Sequence, residues 1–199
     1  MDRSKGMIEK GPKGDVETSD NELVRRCLSG EKDAFAVIVG RYERLVYNIV
    51  YNLMGSSSEA GDLFQEAFLR MYRSLNRYDP TYRFATWAIK ITTNVCLDRL
   101  RQGRPEHRAL EDVEEMGDDQ ADPEQQCLDR EMRERVRNAV DELPPDYRTL
   151  VVLFHQQGLP YGTLVEVLGQ PMSIIKNRLY RARLMLREKL SPYEEASSW

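Results

Sequence analysis

Tyr161-Gly-Thr-Leu-Val-Glu-Val-Leu168, followed by Gly169-Gln-Pro171 and then Met172 through Leu190, is the stretch that decides the fold of this chain. It reads as a short helix, a glycine turn and a longer helix, the pattern of a helix-turn-helix. Gly169 lets the chain reverse, because a residue without Cβ enters the left-handed region at no steric cost. Leu164, Leu168, Ile175 and Leu179 are expected to lock the two helices at a fixed crossing angle. The second helix is expected to bury Ile175, Leu179, Ala182 and Leu186 and to present Lys176, Asn177, Arg178, Tyr180, Arg181 and Arg183. Such a helix fits a major groove, with its early residues at base edges and its arginines on phosphates. The plainer alternative is a solvated basic face on a core helix; the basic excess beside the turn weighs against it. Three features loosen the motif. Gly162 weakens the first helix by ~1 kcal/mol relative to alanine, Pro160 stands where Ser or Thr would cap, and Val165 stands where a smaller residue would ease close approach.

Outward from this motif the spacing of apolar residues stays helical. Tyr147, Leu150, Val151 and Phe154 mark a helix closed by Gly158, and Pro144-Pro145 separates it from one carrying Leu128, Met132, Val136, Val140 and Leu143. Nearer the N-terminus, Ser19 and Glu22 form a capping box that opens a short helix through Leu23, Val24 and Leu28, closed by Gly30. A longer helix from about Asp33 carries Phe35, Ile38, Tyr42, Leu45, Ile49 and Leu53 and ends at Gly55. Ser56 and Glu59 offer a second capping box before Phe64, Ala67, Phe68, Met71, Tyr72 and Leu75. Asn76 to Arg83, with Asp79-Pro80, reads as a loop. A fourth helix then places Phe84, Trp87, Ala88, Ile91 and Val95 on its stripe, and Gly103 and Pro105 stop it.

The expectation is an all-α protein of two small helical domains joined by a flexible acidic linker, the second domain holding the helix-turn-helix. Residues 1–18 read as a disordered extension, 19–103 as the first domain, 104–123 as the linker, 124–191 as the second domain and 192–199 as a tail. The first residues lack the apolar run of a signal peptide, and no stretch of ~20 apolar residues marks a membrane span, so a cytoplasmic protein without membrane insertion is expected.

The net charge of −4 hides strong segregation. Arg83 to Arg108 is basic, Glu111 to Glu124 holds eight acids and no base, and Lys176 to Lys189 is basic again. Two basic blocks with an acidic tether between them imply two nucleic-acid-facing surfaces. Cys27, Cys96 and Cys127 lie far apart, as do His107 and His155, which points away from a zinc site or a disulfide framework. No nucleophile–base pair, metal-ligand cluster or phosphate-binding glycine loop is present in the sequence, so no catalytic residue, metal or cofactor is expected and the chain does not read as an enzyme.

Four stretches together resemble the extracytoplasmic-function sigma factors of the sigma-70 superfamily (group 4). They are Asp62-Leu-Phe-Gln65-Glu66-Ala-Phe68, Phe84 to Asn94 with Leu97-Asp98-Arg99-Leu100-Arg101, Leu143-Pro144-Pro145-Asp-Tyr147-Arg148, and Ile175 to Arg183. Their order and spacing cover nearly everything from Ser19 to Leu190. The resemblance implies a promoter-recognition subunit of RNA polymerase, with region 2 in the first domain and region 4 in the second. Asp62, Gln65 and Glu66 would dock on core RNA polymerase, with the largest-subunit clamp and the flap as partner surfaces. Tyr78, Tyr82, Arg83, Lys90 and Asn94 would receive the melted non-template strand of the minus-ten element, with Arg99 and Arg101 on phosphate. Trp87 lies on the apolar stripe and is expected to pack rather than to stack on a base. Lys176, Asn177, Tyr180 and Arg181 would read the double-stranded minus-thirty-five element, with Arg178 and Arg183 on phosphate. Asn177 stands where the family often has Ser, and Ser173-Ile174 replaces a common Gly-Thr; both departures bear on which promoter is read. An anti-sigma factor is a further implied partner.

Two other readings use the same features. A stand-alone helix-turn-helix regulator predicts tight, specific DNA binding without polymerase. A helical adaptor or anti-sigma-like protein that binds no DNA leaves the Lys176 to Arg183 cluster without a role.

Overall fold

A computed structural model describes residues 18–55, 59–102 and 123–196, with side chains in 123–130 and 192–196 left undescribed. The expected N-terminal extension up to residue 17, Ser56, nearly all of the acidic linker, and the side chains of Cys127 and Leu128 lie outside the described residues. Thr18, assigned to the extension, already holds a place: its carbonyl accepts from Arg41 Nη2 at 3.0 Å.

The described residues form helices joined by turns. Ser19 caps α1 (Asp20–Leu28), its side chain accepting from the Glu22 N–H at 3.3 Å, and Gly30 ends the turn at φ 100°. Only half of the expected capping box forms, because the Glu22 carboxylate pairs with Arg25 one turn on. The long α2 (Asp33–Met54) ends at Gly55, whose φ of 68° a Cβ would oppose. Then follow α3 (Glu59–Ser74), one 3₁₀ turn (Leu75–Arg77) and α4 (Phe84–Gln102). In α3 the buried side is Ala67, Phe68 and Met71, continued by Leu75; Tyr72, expected on it, is exposed and meets the Phe35 ring edge-on at 4.9 Å.

The second half comprises α5 (Pro123–Asp141), α6 (Pro145–Val151), α7 (Tyr161–Leu168) and α8 (Met172–Ala196). Pro145 occupies the first turn of α6, where a missing N–H costs nothing. The helix then widens into a π turn (Val152–Gln156), and Gly158 turns away at φ 64°. The expected apolar row on α5 is only half used: Val140 and Leu143 are buried, whereas Met132 and Val136 are exposed. The last helix continues to Ala196, through the start of the stretch expected as a tail.

The two halves do not stand apart. Buried residues of both belong to one continuous apolar core, with α4 lying against α2 and α3 on one side and against α6 and α7 on the other. Polar contacts cross the same boundary. Arg148 of α6 is buried and donates from Nη1 to the Leu53 carbonyl at 3.0 Å, one of the last carbonyls of α2, which have no partner within the helix. Its guanidinium also lies 3.6 Å from the buried Asp141 carboxylate. The Arg137 guanidinium sits 4.6 Å from the centroid of the Tyr51 ring. Two separate cores were expected; the apolar area that each half exposes on its own is what brings them together.

Removing the Arg148 guanidinium takes away the donor to the Leu53 carbonyl and the cation beside the buried Asp141, and breaking a buried charged contact is strongly destabilising. Arg148→Ala is therefore expected to destabilise the chain by about 3 kcal/mol in urea unfolding. Gly40 has the opposite potential: it lies inside α2, and an added Cβ meets nothing within 4 Å. Gly40→Ala should raise stability by ~0.4–1 kcal/mol in the same assay, by restricting the unfolded chain.

Candidate nucleic-acid interface

Gly169 sits in the left-handed region at φ 62° and ψ 28°, and its N–H returns to the Val165 carbonyl at 2.9 Å, closing α7 and aiming the chain into α8. Leu164, Val167, Ile175, Leu179 and Ala182 are buried at this crossing. The locking residue on the second turn of α7 is thus Val167 rather than Leu168, which is only partly buried. The short helix turns one position further toward its partner than the spacing suggested. Pro160 provides no side-chain cap, so the first turn of α7 relies on the Leu164 N–H to Pro160 carbonyl bond of 3.1 Å.

With one face of α8 buried, Lys176, Asn177, Tyr180, Arg181 and Arg183 stand exposed on the other, Tyr180 at 61%. Two of them rest on aromatic supports. Lys176 Nζ lies 5.7 Å from the Tyr161 ring centroid, and the Arg183 guanidinium lies 5.9 Å from that of Phe154. Such contacts hold a long side chain over the helix while its charge stays outward. Arg178 differs. It is half-buried and turned inward, donating to Gln170 Oε1 at 3.1 Å and lying 3.3 Å from the Asp146 carboxylate.

The first half presents its candidate residues around a cluster of rings. Phe84 is buried and touches Tyr42, Tyr78 and Trp87 at centroid distances of 5.1, 5.3 and 5.2 Å. Trp87 is partly buried within this cluster, 5.4 Å from Tyr78, so it packs as its place on the stripe implied. Tyr78 is half-buried, and its hydroxyl donates to the Tyr82 carbonyl at 2.7 Å, which ties the loop across its own width. Burial, with Asp20 and Asp79 nearby, raises its phenol above the usual range. Asp79 accepts from the Thr81 N–H at 2.9 Å and its hydroxyl at 2.7 Å; those bonds lower its carboxyl. This loop therefore holds Tyr82 and Arg83 outward on a braced frame. Lys90 and Asn94 are exposed one turn apart on α4.

Several candidates are engaged within the fold. Arg99 pairs with Glu59 at the start of α3, donating from Nε at 2.9 Å and holding that carboxyl below its usual range. Arg101 Nη2 meets Asp146 of α6 at 2.9 Å. Asp62 and Gln65 are exposed on α3, while the neighbouring Glu66 accepts from Arg70 Nε at 2.7 Å, and Arg70 also reaches Asp98 on α4 at 3.1 Å. Spacing alone showed none of these pairs, because the partners lie on other helices or one turn away with several geometries open.

Cys96 is fully buried on α4, and desolvation pushes its thiol up to about 12, which removes its reactivity at neutral pH. Among the described residues no group of three or more His, Cys, Asp or Glu side chains is placed to hold a metal ion, and no helix is long and apolar enough to cross a membrane.

Comparison with known proteins gives two family matches along the chain. The family profile described as Sigma-70 region 2 matches residues 38–106, and that described as Sigma-70, region 4 matches residues 133–186. The ECF RNA polymerase sigma factor SigW of Bacillus subtilis (strain 168) is 31% identical over 184 residues, covering 88% of this chain and 98% of that protein. The ECF RNA polymerase sigma factor SigE of Mycolicibacterium smegmatis is 34% identical over 190 residues, covering 92% and 74%. Among solved structures, the sigma factor RpoE in complex with the anti-sigma factor NepR, from Bartonella quintana, shares the fold with a TM-score of 0.58 at 20% identity, over 79% of this chain and 96% of that one.

The ring cluster makes a local prediction. Phe84→Leu removes three ring contacts at a buried site and is expected to cost about 1–2 kcal/mol in thermal or urea unfolding.

Proposed function

The chain belongs to the ECF RNA polymerase sigma factors, and from that premise we propose that it binds core RNA polymerase and directs initiation at promoters. In this reading α3 docks on the clamp of the largest subunits through Asp62, Gln65 and Glu66, and the second half is held at the flap. Tyr78, Tyr82, Arg83, Lys90 and Asn94 receive the opened non-template strand at the minus-ten element. Unstacking a base costs a few kcal/mol, which a polar and aromatic receiving surface offsets. Arg99 and Arg101 neutralise its phosphates. On α8, Lys176, Asn177, Tyr180 and Arg181 read the minus-thirty-five duplex, with Arg178 and Arg183 on its backbone. The chain acts in the cytoplasm as an initiation factor rather than as an enzyme, without a cofactor. The anti-sigma complex of the Bartonella quintana relative supports an anti-sigma factor as a second protein partner.

The observation that carries this reading is the one-sided α8: an apolar face locked into the helix-turn-helix and an opposite face exposing Lys176, Asn177, Tyr180, Arg181 and Arg183. Each half is small and the chain is net acidic, so DNA affinity without polymerase is expected to be weak at physiological salt. Docking on polymerase makes the second contact intramolecular and raises the combined affinity.

In vitro transcription with purified core polymerase and a genomic promoter library tests the proposal. The protein is expected to start transcripts at a restricted promoter set. Failure to stimulate any start site while folded, or tight specific DNA binding without polymerase, would overturn it. Within the active system, Asn177→Ala should relax sequence preference at minus-thirty-five by roughly 1–3 kcal/mol at one base pair. Arg183→Ala should weaken all promoters alike and reduce the salt slope of DNA binding by about 1.

A further inference from the structure

α1 carries no residue assigned to DNA or to polymerase, yet its first turn reaches the loop that precedes α4. Asn21 Nδ2 donates to the Pro80 carbonyl at 3.4 Å, and Asn21 Oδ1 lies 3.0 Å from the Tyr78 hydroxyl. The partners are 59 and 57 positions apart, so helical periodicity gives no sign of them. One step earlier, Asp20 fastens the same turn to α2: it accepts from the Tyr42 hydroxyl at 2.5 Å and pairs with Arg41. Tyr42 in turn packs on Phe84, the buried ring that also touches Tyr78. We propose that Asn21 is a positioning residue of the minus-ten site. Standing on a turn that Asp20 anchors, it holds the loop of Tyr78 to Arg83 in the shape that receives an unstacked base, and so sharpens selection at that element.

The proposal rests on the assignment of Tyr78 and Tyr82 to the non-template strand. Taking a base out of its stack costs a few kcal/mol, and only a base that fits its receptacle returns that cost. A receptacle discriminates to the extent that its walls hold still; a displacement of about 0.5 Å is enough to blur the fit. Bonds inside the loop, from Thr81 to Asp79 and from Tyr78 to Tyr82, fix its curvature. Ring contacts with Phe84 and Trp87 seat the Tyr78 end. Asn21 holds the exposed Pro80 peptide and the tip of Tyr78 at once. A phenol carries one proton, so the Tyr78 hydroxyl serves the Tyr82 carbonyl and Asn21 Oδ1 in turn. When a base draws Tyr82 aside, Asn21 remains as the acceptor that keeps the Tyr78 ring where it stands. Asn21 acts through the loop and needs no contact with DNA of its own.

Transcription by the full chain on core polymerase reads the effect. The templates derive from one promoter selected from the genomic library and differ at single base pairs of the minus-ten or minus-thirty-five element. Asn21→Ala is compared with Ser29→Ala, which removes an uncharged, exposed side chain at the other end of α1. Alanine favours a helix and both positions are exposed, so both variants should fold as the wild type does. Asn21→Ala is expected to lower the ratio of preferred to single-base-changed minus-ten templates by about 2–10-fold, the worth of one neutral hydrogen bond. The minus-thirty-five ratio, and both ratios in Ser29→Ala, should stay at wild-type values. In a Tyr78→Phe background, which lacks the hydroxyl, the loss caused by Asn21→Ala should shrink. A general loosening of α1 would instead lower output from every template by the same factor and leave the ratios alone. An unchanged minus-ten ratio in Asn21→Ala, or a loss of the same size with and without the Tyr78 hydroxyl, would overturn the proposal. Wild-type transcription is scored first: its absence across the library would overturn the sigma-factor reading, whereas its presence with an unchanged Asn21→Ala ratio would overturn the positioning role alone.

Discussion

The burial of α4 on two sides is the constraint on which the rest of the molecule depends. One side closes the first half, with Phe84, Ala88 and Cys96 among its buried residues; the other meets α6 and α7 of the second half. A helix used in this way leaves only a narrow strip for solvent. Lys90 and Asn94 occupy that strip, and Arg101 emerges where α4 reaches the second half. The residues assigned to single-stranded DNA therefore stand on a helix that cannot shift without disturbing the core that the two halves share. This gives the minus-ten surface a fixed frame, and couples it to the position of the other half.

Charge follows the same logic at the surface. The chain is acidic overall, yet among the described residues several acids are placed as specific partners: Glu59 for Arg99, Glu66 and Asp98 for Arg70, Asp146 for Arg101 and Arg178. Exposed pairs of this kind contribute little stability each, about 0–1 kcal/mol. What they do is decide which arginines face outward and which are held. Arg181 and Arg183 on α8 face outward; Arg99, Arg101 and Arg178 are held. A basic residue in a DNA-binding motif is thus not by itself a free phosphate contact.

Much of this was legible in the residues. The turns at Gly30, Gly55, Gly158 and Gly169 all carry positive φ, and each was placed by a glycine ending an apolar period. The loop before Phe84, the break at Pro144-Pro145 and the outward face of α8 follow from equally local chemistry. The misreadings concern faces. Met132 and Val136 have the spacing of a buried row and are exposed; Tyr72 shares a helix face with buried neighbours and is exposed; Val167 replaces Leu168 at the crossing. Periodicity identifies a stripe, but its edges depend on where the neighbouring helix lies. That position is a tertiary fact.

The chain by itself determined an all-helical protein, the helix-turn-helix with its Gly169 reversal, and the order of segments that places it among the ECF sigma factors. Those features rest on backbone preferences and on side chains a few residues apart, which interact in any context. The tertiary structure alone decided that the halves share one core, that Arg148 crosses to the end of α2, and that Asp146 gathers Arg101 and Arg178. Such contacts join residues tens of positions apart, and only the packing of both halves against α4 brings them within hydrogen-bonding distance.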